Sequence, residues 1–504
     1  MLKPIAQNEG LTNRERYLAS LARSRLFRLW SYPGLSRREA NGRSQELADL
    51  TVVFGDDVLL FSDKDEAWSN HADINIAWKR WYRRAIEKSA KQLWGAERYL
   101  RQFPDGIYLD AKLTEPFPFP LVTERTRIHL IAVTANSDKA AKAHFDAISP
   151  GSSSTLMFHY PEEGVDASGI PFVVGDIDPT RTFVHVFDQE TLDRVLKQLG
   201  TIADLIHYLT EKVRVIRQGH LLQVAGEEDL LAFYLYERGA GGFGALPFDK
   251  DRLGARVAIP EGEWRGFESS PQYRIHASLL RNAEWWNGIL ALFDEAIVAA
   301  NTDEADDVDL TLHECALRAA ASENTFSRAH LSTVFEKKYR SVPPGIRSSA
   351  IASSLCIPGR VYALVLVPFD PSVGTYAEYR AYRRSLIEGY ALVIPLKVEG
   401  VREAVIIGVQ TQGGPGDSEV MIYAAYEHPL DDAYIRNARA IMTEHHILDT
   451  LKAPVPDVPM SVAALGRRYG RNEPCPCGSG RKNKKCCNVS GPRDATVFGA
   501  MFGG

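Results

Sequence analysis

Residues Asp49 to Lys64 read DLTVVFGDDVLLFSDK. Two apolar runs, LTVVF and VLLFS, flank Gly55-Asp56-Asp57, and the pair predicts a two-stranded hairpin that turns near Asp56. Charges mark its ends: Asp49 opens the first strand, while Asp63 and Lys64 close the second. Strand alternation places Ser62 on the face of Lys64 and turns Asp63 to the other face, unless a bulge swings it back. An acid and a lysine at neighbouring strand ends suit metal-dependent phosphodiester cleavage. In that chemistry carboxylates hold Mg2+, and a cation orients the attacking water and steadies developing charge. A plain hairpin with charged ends is the competing reading.

Outward from the hairpin, residues 12–30 and 36–47 read as helices separated at Pro33-Gly34. A long helix is expected from Ile74 to Phe103. Between Lys79 and Arg101 it carries eight basic residues and two acidic ones. Arg80, Arg84, Lys88 and Lys91 recur at helical spacing, while Trp78, Trp81, Ala85 and Leu93 fall on another face as core anchors. The basic stripe is either a phosphate track or a solvated helix face. GIYLD, RIHLIAVTA and RTFVHVF are strand-like, and residues 188–216 are strongly periodic helix. Helix, hairpin, helix, strand, strand, helix gives an α/β domain.

The positions of Asp49, Ser62 thirteen residues on, and Lys64 two further on resemble the PD-(D/E)XK nuclease superfamily, especially its NERD and Mrr-like branches. Ser62 stands where that pattern has an acid. The resemblance implies a restriction-endonuclease-like fold over about residues 12–216. It implies metal ligation by Asp49 and by Glu46 from the end of the preceding helix, and a catalytic role for Lys64. It also implies Gln92 as a supporting polar residue on the following helix, with Asp63 as a substitute acid. The function it implies is Mg2+-dependent cleavage of nucleic acid, in bacterial defence or nucleic-acid quality control. The alternative is a non-catalytic interaction protein built on a degenerate nuclease fold.

A second signal lies in the tail, RNEPCPCGSGRKNKKCCN. Cys475, Cys477, Cys486 and Cys487 form a C-x-C and C-C set with eight residues between the pairs, and Gly478-Ser479-Gly480 supplies the turn. Four thiolates suit a tetrahedral structural Zn2+, which would supply the folding energy that so short a segment lacks. Disulfide pairing is the rival reading. The stretch resembles the SEC-C motif, the zinc-binding tail of the bacterial preprotein translocase ATPase. That resemblance implies docking to a protein, the ribosome or an acidic surface, with Arg481, Lys482, Lys484 and Lys485 as the contact face. A translocase motor is not expected, since the chain has no G-x-x-x-x-G-K-[ST] loop.

The 504 residues accommodate several domains. The expected division is a nuclease-like domain over 1–220, a mixed connecting region over 221–310, an α+β domain over 311–451, a Pro-spaced linker over 452–466 and the zinc motif over 467–490. In the third of these, RVYALVLVPF, YALVIPLKVEG, REAVIIGVQT and EVMIYAAYE read as strands and TYAEYRAYRRSLIEG as helix. With 45% hydrophobic residues, 24% charged residues, a net charge of −5 and no signal-like or membrane-spanning run, a cytoplasmic protein without membrane insertion is expected. Cys315 and Cys356 read as buried free thiols. Gly239–Gly244 (GAGGFG), His71 with Asp73, Ser152–Ser154 and Glu444–His446 read as loop or surface features.

Overall fold

The computed structural model describes residues 2–449 apart from 11, 40, 153–154, 161–168, 249–255, 303–307, 373 and 415–418, and also Asn472 and Lys482. The chain is mixed α/β and divides into two compact units. One includes Ala6–Gly239 with Gly244–Ser278, and the other comprises Met1–Ile5, Ala240–Phe243 and Leu279–Ser461.

In the N-terminal unit, α1 (Asn13–Leu26) leads through β1 (Ser31–Pro33) and a small hairpin, β2 (Ser36–Arg38) and β3 (Ser44–Glu46), into β4 (Leu50–Phe54) and β5 (Asp57–Lys64). Gly55, at φ 60°, takes the left-handed first position of the two-residue turn between β4 and β5. A crossover of α2 (Ile74–Tyr82), a π-helical turn over Arg83–Glu87 and α3 (Lys88–Gln102) follows. After β6 (Ile107–Tyr108), the chain returns as β7 (Arg127–Thr134), parallel to β5. Then come α4 (Asp138–Ile148), β8 (Met157–His159), β9 (Val173–Val174) and β10 (Val184–Asp188). The sheet order is β1-β4-β5-β7-β10, with β1, β4 and β5 an antiparallel meander and β5, β7 and β10 parallel.

Both faces of this sheet are covered. Ser62 meets Ser89 of α3, whereas its neighbour Asp63 meets Arg14 of α1. Adjacent strand residues point to opposite faces, so α1 and α3 lie on opposite sides. Trp78 and Trp81 are buried and stacked, ring centroids 5.5 Å apart, and the Trp81 indole donates to the Glu66 and Ala135 carbonyls.

Three expectations are corrected here. Residues 36–47 are the β2–β3 hairpin rather than a helix: Asn41-Gly42 forms its turn, with Gly42 at φ 78° and Glu39 and Arg43 hydrogen-bonded across it. The periodic stretch after β10 is two helices, α5 (Gln189–Leu199) and α6 (Ile202–Arg217), parted by Gly200 at φ 78°. Residues 221–278 are not a connector. There β11 (Leu221–Val224) pairs with β8 and β12 (Val257–Ile259), and α7 (Glu227–Tyr236) and α8 (Glu263–Ser269) complete the unit.

The second unit holds α9 (Pro271–Val298, of which the part from Leu279 belongs here), α10 (Leu310–Ala321) and α11 (Thr325–Ser341). Its sheet is β13-β14-β15-β16, formed by Ser348–Ser353, Arg360–Val367, Glu403–Gln410 and Val420–Ala425. YALVIPLK is not a strand but the second half of α12 (Tyr376–Lys397). Its buried Leu386, Ile387, Tyr390, Val393 and Ile394 have helical spacing, and Pro395 falls in the last turn. A final helix, α13, spans Asp432–His445. Cys315 and Cys356 are free and half-buried rather than fully buried, and the Cys356 thiol donates to Glu323 at 3.0 Å.

The turn end of the opening hairpin carries a structural ion pair. Buried Asp57 accepts from Arg127 at 2.7 and 2.8 Å and lies 2.9 Å from His129 Nε2. Burial acts to raise the Asp57 carboxyl, but His129 and Arg127 together hold it below its usual 3.8. A depressed carboxyl stabilises the fold above its unfolded value, and that stabilisation is lost as pH falls through the folded one. Asp57→Ala is expected to cost about 2 kcal/mol near pH 7. In urea titrations the gap from wild type should close below pH 3.8. A gap that persists in acid would count against the pair as its source.

Candidate active site

The opposite end of the same hairpin brings together three of the five candidate catalytic residues, Glu46, Asp49 and Lys64. Asp49 precedes β4, and its carboxylate accepts the Asp63 amide at 2.5 Å and lies 3.8 Å from Lys64 Nζ. Register explains the meeting. Leu50 pairs with Phe61, and the amide of Asp49, one residue before it, donates to the same Phe61 carbonyl, which leaves its carboxylate beside the Asp63 amide and Lys64. Glu46 arrives from strand β3 rather than from a helix end, its main chain paired to Ser36.

The electrostatics tie these groups together. Glu46 is itself an exposed residue; partial burial of its carboxyl, then the charges of Asp49 and Glu15, raise it to about 7, with Lys64 opposing. Burial raises Asp49 as well, Asp63 and Glu15 adding while Lys64 and the Asp63 amide oppose. Carboxylates crowded until they resist ionisation, beside one lysine, are a frequent signature of functional sites. Glu15 was not singled out in the sequence. Thr12-x-x-Glu15 is a capping box at the start of α1, which was legible as a helix start but not as a neighbour of Asp49.

Asp63 does not join the corner. Its side chain points to the α1 face, where Arg14 grips both carboxylate oxygens, with Nε at 3.1 Å. No bulge interrupts the pairing of β5 with β7 through Lys64, so nothing swings Asp63 inward. Ser62 is fully buried, its hydroxyl 3.4 Å from that of Ser89. Gln92 lies one helical turn beyond Ser89 on α3 and is half-buried.

Arg80, Arg84, Lys88 and Lys91 are all exposed, and Lys91 lies 3.9 Å from Glu87. Ala85, Ser89 and Leu93 face the sheet, so the helix body separates the basic stripe from the Asp49 corner. His71 and Asp73 form a helix cap: Asp73 accepts from the Asn75 amide, and His71 Nδ1 accepts from the Asp73 amide.

Mg2+ binds through one or two carboxylates, completed by water and substrate phosphate. Glu46 and Asp49 fit that donor set. No group of three His, Cys, Asp or Glu among the described residues is arranged to hold a metal ion, so an all-protein cage is not what this corner offers. The four tail cysteines, Cys475, Cys477, Cys486 and Cys487, lie outside the described residues. As a donor set, four thiolates match zinc. No helix among the described residues is long and apolar enough to cross a membrane.

Comparison with known proteins finds the tail. The SEC-C motif matches residues 471–488. Protein translocase subunit SecA of Helicobacter pylori is 54% identical over 37 residues, covering 7% of this chain and 4% of the relative. SecA of Heliobacterium modesticaldum is 75% identical over 24 residues, covering 5% of this chain and 3% of the relative. The chain thus spans about 4% of the length of the curated relatives it matches. SEC-C motifs generally bind zinc. No solved structure matches the chain.

Proposed function

We propose that the N-terminal unit cleaves nucleic-acid phosphodiesters at the Glu46–Asp49–Lys64 corner and that the SEC-C tail docks the protein to a partner. The convergence of those three side chains, with both carboxyls raised, carries the first half. An antiparallel meander followed by a crossover helix and a parallel strand is also the order that a restriction-endonuclease-like fold implies. Glu46 and Asp49 would hold Mg2+. Bound there, the metal would polarise the phosphate and neutralise charge. Lys64, two residues from the buried Ser62, would donate to a phosphate oxygen and stabilise the charge gained in the transition state. Asp49 keeps that amine in place through the pair seen at 3.8 Å. The direct test is Mg2+-stimulated cleavage of a panel of single- and double-stranded DNA and RNA by the full chain.

A second reading is favoured by one observation: the acid nearest the missing position, Asp63, is locked to Arg14, and Ser62 is closed off by Ser89. On that reading the unit binds nucleic acid or a protein without cutting. The tail half rests on the SEC-C match and the SecA relatives, and on a lysine-rich loop suited to an acidic surface.

The basic stripe, on the far side of its helix from the corner, makes a separate prediction under the second, binding reading. Replacing Arg80, Arg84 and Lys88 with Ala removes three phosphate contacts. The slope of log affinity against log salt for duplex DNA should then fall by about 2 to 3. Fluorescence anisotropy at several salt concentrations measures this, and an unchanged slope would remove the stripe from the interface.

A further inference from the structure

Lys64 ends β5, and Trp68 follows four residues later, a stretch that spans at most about 14 Å. That stretch is pinned to the end of the neighbouring strand. The Asn136 side-chain amide donates to Asp65 at 2.8 Å and to the Glu66 carbonyl at 3.3 Å. The Trp81 indole donates to the carbonyls of Glu66 and Ala135, and Thr134, just before Ala135, is the register partner of Lys64. Trp81 belongs to the helical run of α2 and α3, which meets the Ser62 and Lys64 face of the sheet at Ser89.

Trp68 caps this arrangement. Its ring stacks on fully buried Phe172, with centroids 5.1 Å apart and 23° between the planes, and lies 6.1 Å from the Trp81 ring. Yet Trp68 is only half-buried, whereas Trp78 and Trp81 are closed at 0% and 1% exposed. Its indole nitrogen has no hydrogen-bond partner among the described residues, unlike that of Trp81. A buried Trp N–H finds an acceptor as a rule, so the polar edge of Trp68 belongs to the open side of the ring.

An indole held on a pinned loop and left half-open is a surface on which a nucleobase can stack. Stacking does not depend on charge, which matters beside the carboxylates of Glu46, Asp49 and Asp65. Within a duplex the base faces cover one another; an unpaired strand leaves them free. We infer that Trp68 is a stacking platform for an unpaired base, and that the substrate taken at the corner is single-stranded nucleic acid. The inference rests on the proposed function for the presence of a strand at that corner.

The experiment titrates the full chain, without Mg2+ so that no cleavage intervenes, into a short DNA oligonucleotide carrying 2-aminopurine, single-stranded or annealed to its complement. The single strand should bind at least about tenfold more tightly than the duplex, and its 2-aminopurine emission should be quenched by stacking. Trp68→Ala should weaken single-strand binding about tenfold and abolish the quench, while Trp68→Phe, which keeps a ring, should retain most of both. The wild-type preference and quench are read without any variant, and circular dichroism checks the fold of the two variants. Equal affinity for duplex, absence of binding, or a Trp68→Ala chain that binds and quenches like wild type would overturn the inference. The cleavage reading fails separately. A strand bound and quenched in this way but never cut when Mg2+ is added would sink that reading and leave the platform standing. Mg2+-stimulated cleavage that is indifferent to Trp68→Ala would do the reverse.

Discussion

Lys64→Ala is expected to lower Mg2+-stimulated cleavage by about a hundredfold or more, and Asp49→Ala to lower it at least as far. The lysine estimate follows from losing one preorganised donor at a transition-state oxygen, worth about 3 kcal/mol. Asp49 loses more, because its carboxylate is partner of Lys64 and acceptor of the Asp63 amide and, in the proposed site, would also be a metal ligand. Asp49→Asn separates these roles, since it keeps an acceptor for the amide while removing the charge. Ser62→Ala should leave activity within about twofold, the hydroxyl being buried against Ser89. Ser62→Glu, which restores the nuclease pattern on paper, should fail. It forces a carboxylate into a closed contact, and overpacking alone costs about 1–3 kcal/mol. Rates are read by single-turnover assays, with thermal midpoints as the control for folding. Wild-type protein that binds nucleic acid but never cleaves it, with Lys64→Ala indistinguishable from wild type, would decide for the non-catalytic reading.

The contrast at position 62 shows where sequence reading succeeds and where it stops. The hairpin was legible because period-2 alternation and Gly55 act within sixteen residues, and the pairing of Asp49 with Lys64 follows from that register. The crossover helix was legible because its buried and basic faces repeat at helical spacing. What Asp63 does was not legible: its partner Arg14 is 49 residues away and on another element. Glu15 was missed for the same reason, its acidic neighbours Glu46 and Asp49 lying far off in sequence. Glu46 was placed on a helix because helix-compatible residues surround it, although Asn41-Gly42 asked for a turn. Periodicity also misassigned residues 390–397. An apolar run of that length fits a buried strand or a buried helix equally, and what distinguishes them is the nonlocal core that Tyr390, Val393 and Ile394 share with strand residues such as Val365 and Ile406. The tail is the opposite case: its four candidate ligands lie within thirteen residues, and the SEC-C motif matches there on local spacing alone.

That locality makes the tail prediction the sharpest. The full chain should carry one zinc, since Cys475, Cys477, Cys486 and Cys487 would fill four tetrahedral positions and leave none open. Cys486→Ser should reduce bound zinc to near zero after dialysis against a weak chelator. A neutral hydroxyl replaces a thiolate, and in so short a segment metal affinity and folding are the same free energy, about 10–16 kcal/mol for zinc-finger peptides at neutral pH. Because the ligands must be deprotonated, zinc should also be released as pH falls, with protons taken up in its place. Elemental analysis gives the stoichiometry, and a thiol reagent gives the pairing state. Four reactive thiols appearing only with chelator mean zinc, whereas four appearing only with reductant mean two disulfides and would overturn the assignment. Pull-down then connects metal to role. If the zinc-bound tail docks the protein, Cys486→Ser and chelator should abolish capture of the same partner. The Lys64→Ala variant should leave that capture intact, because the corner and the tail carry different chemistry.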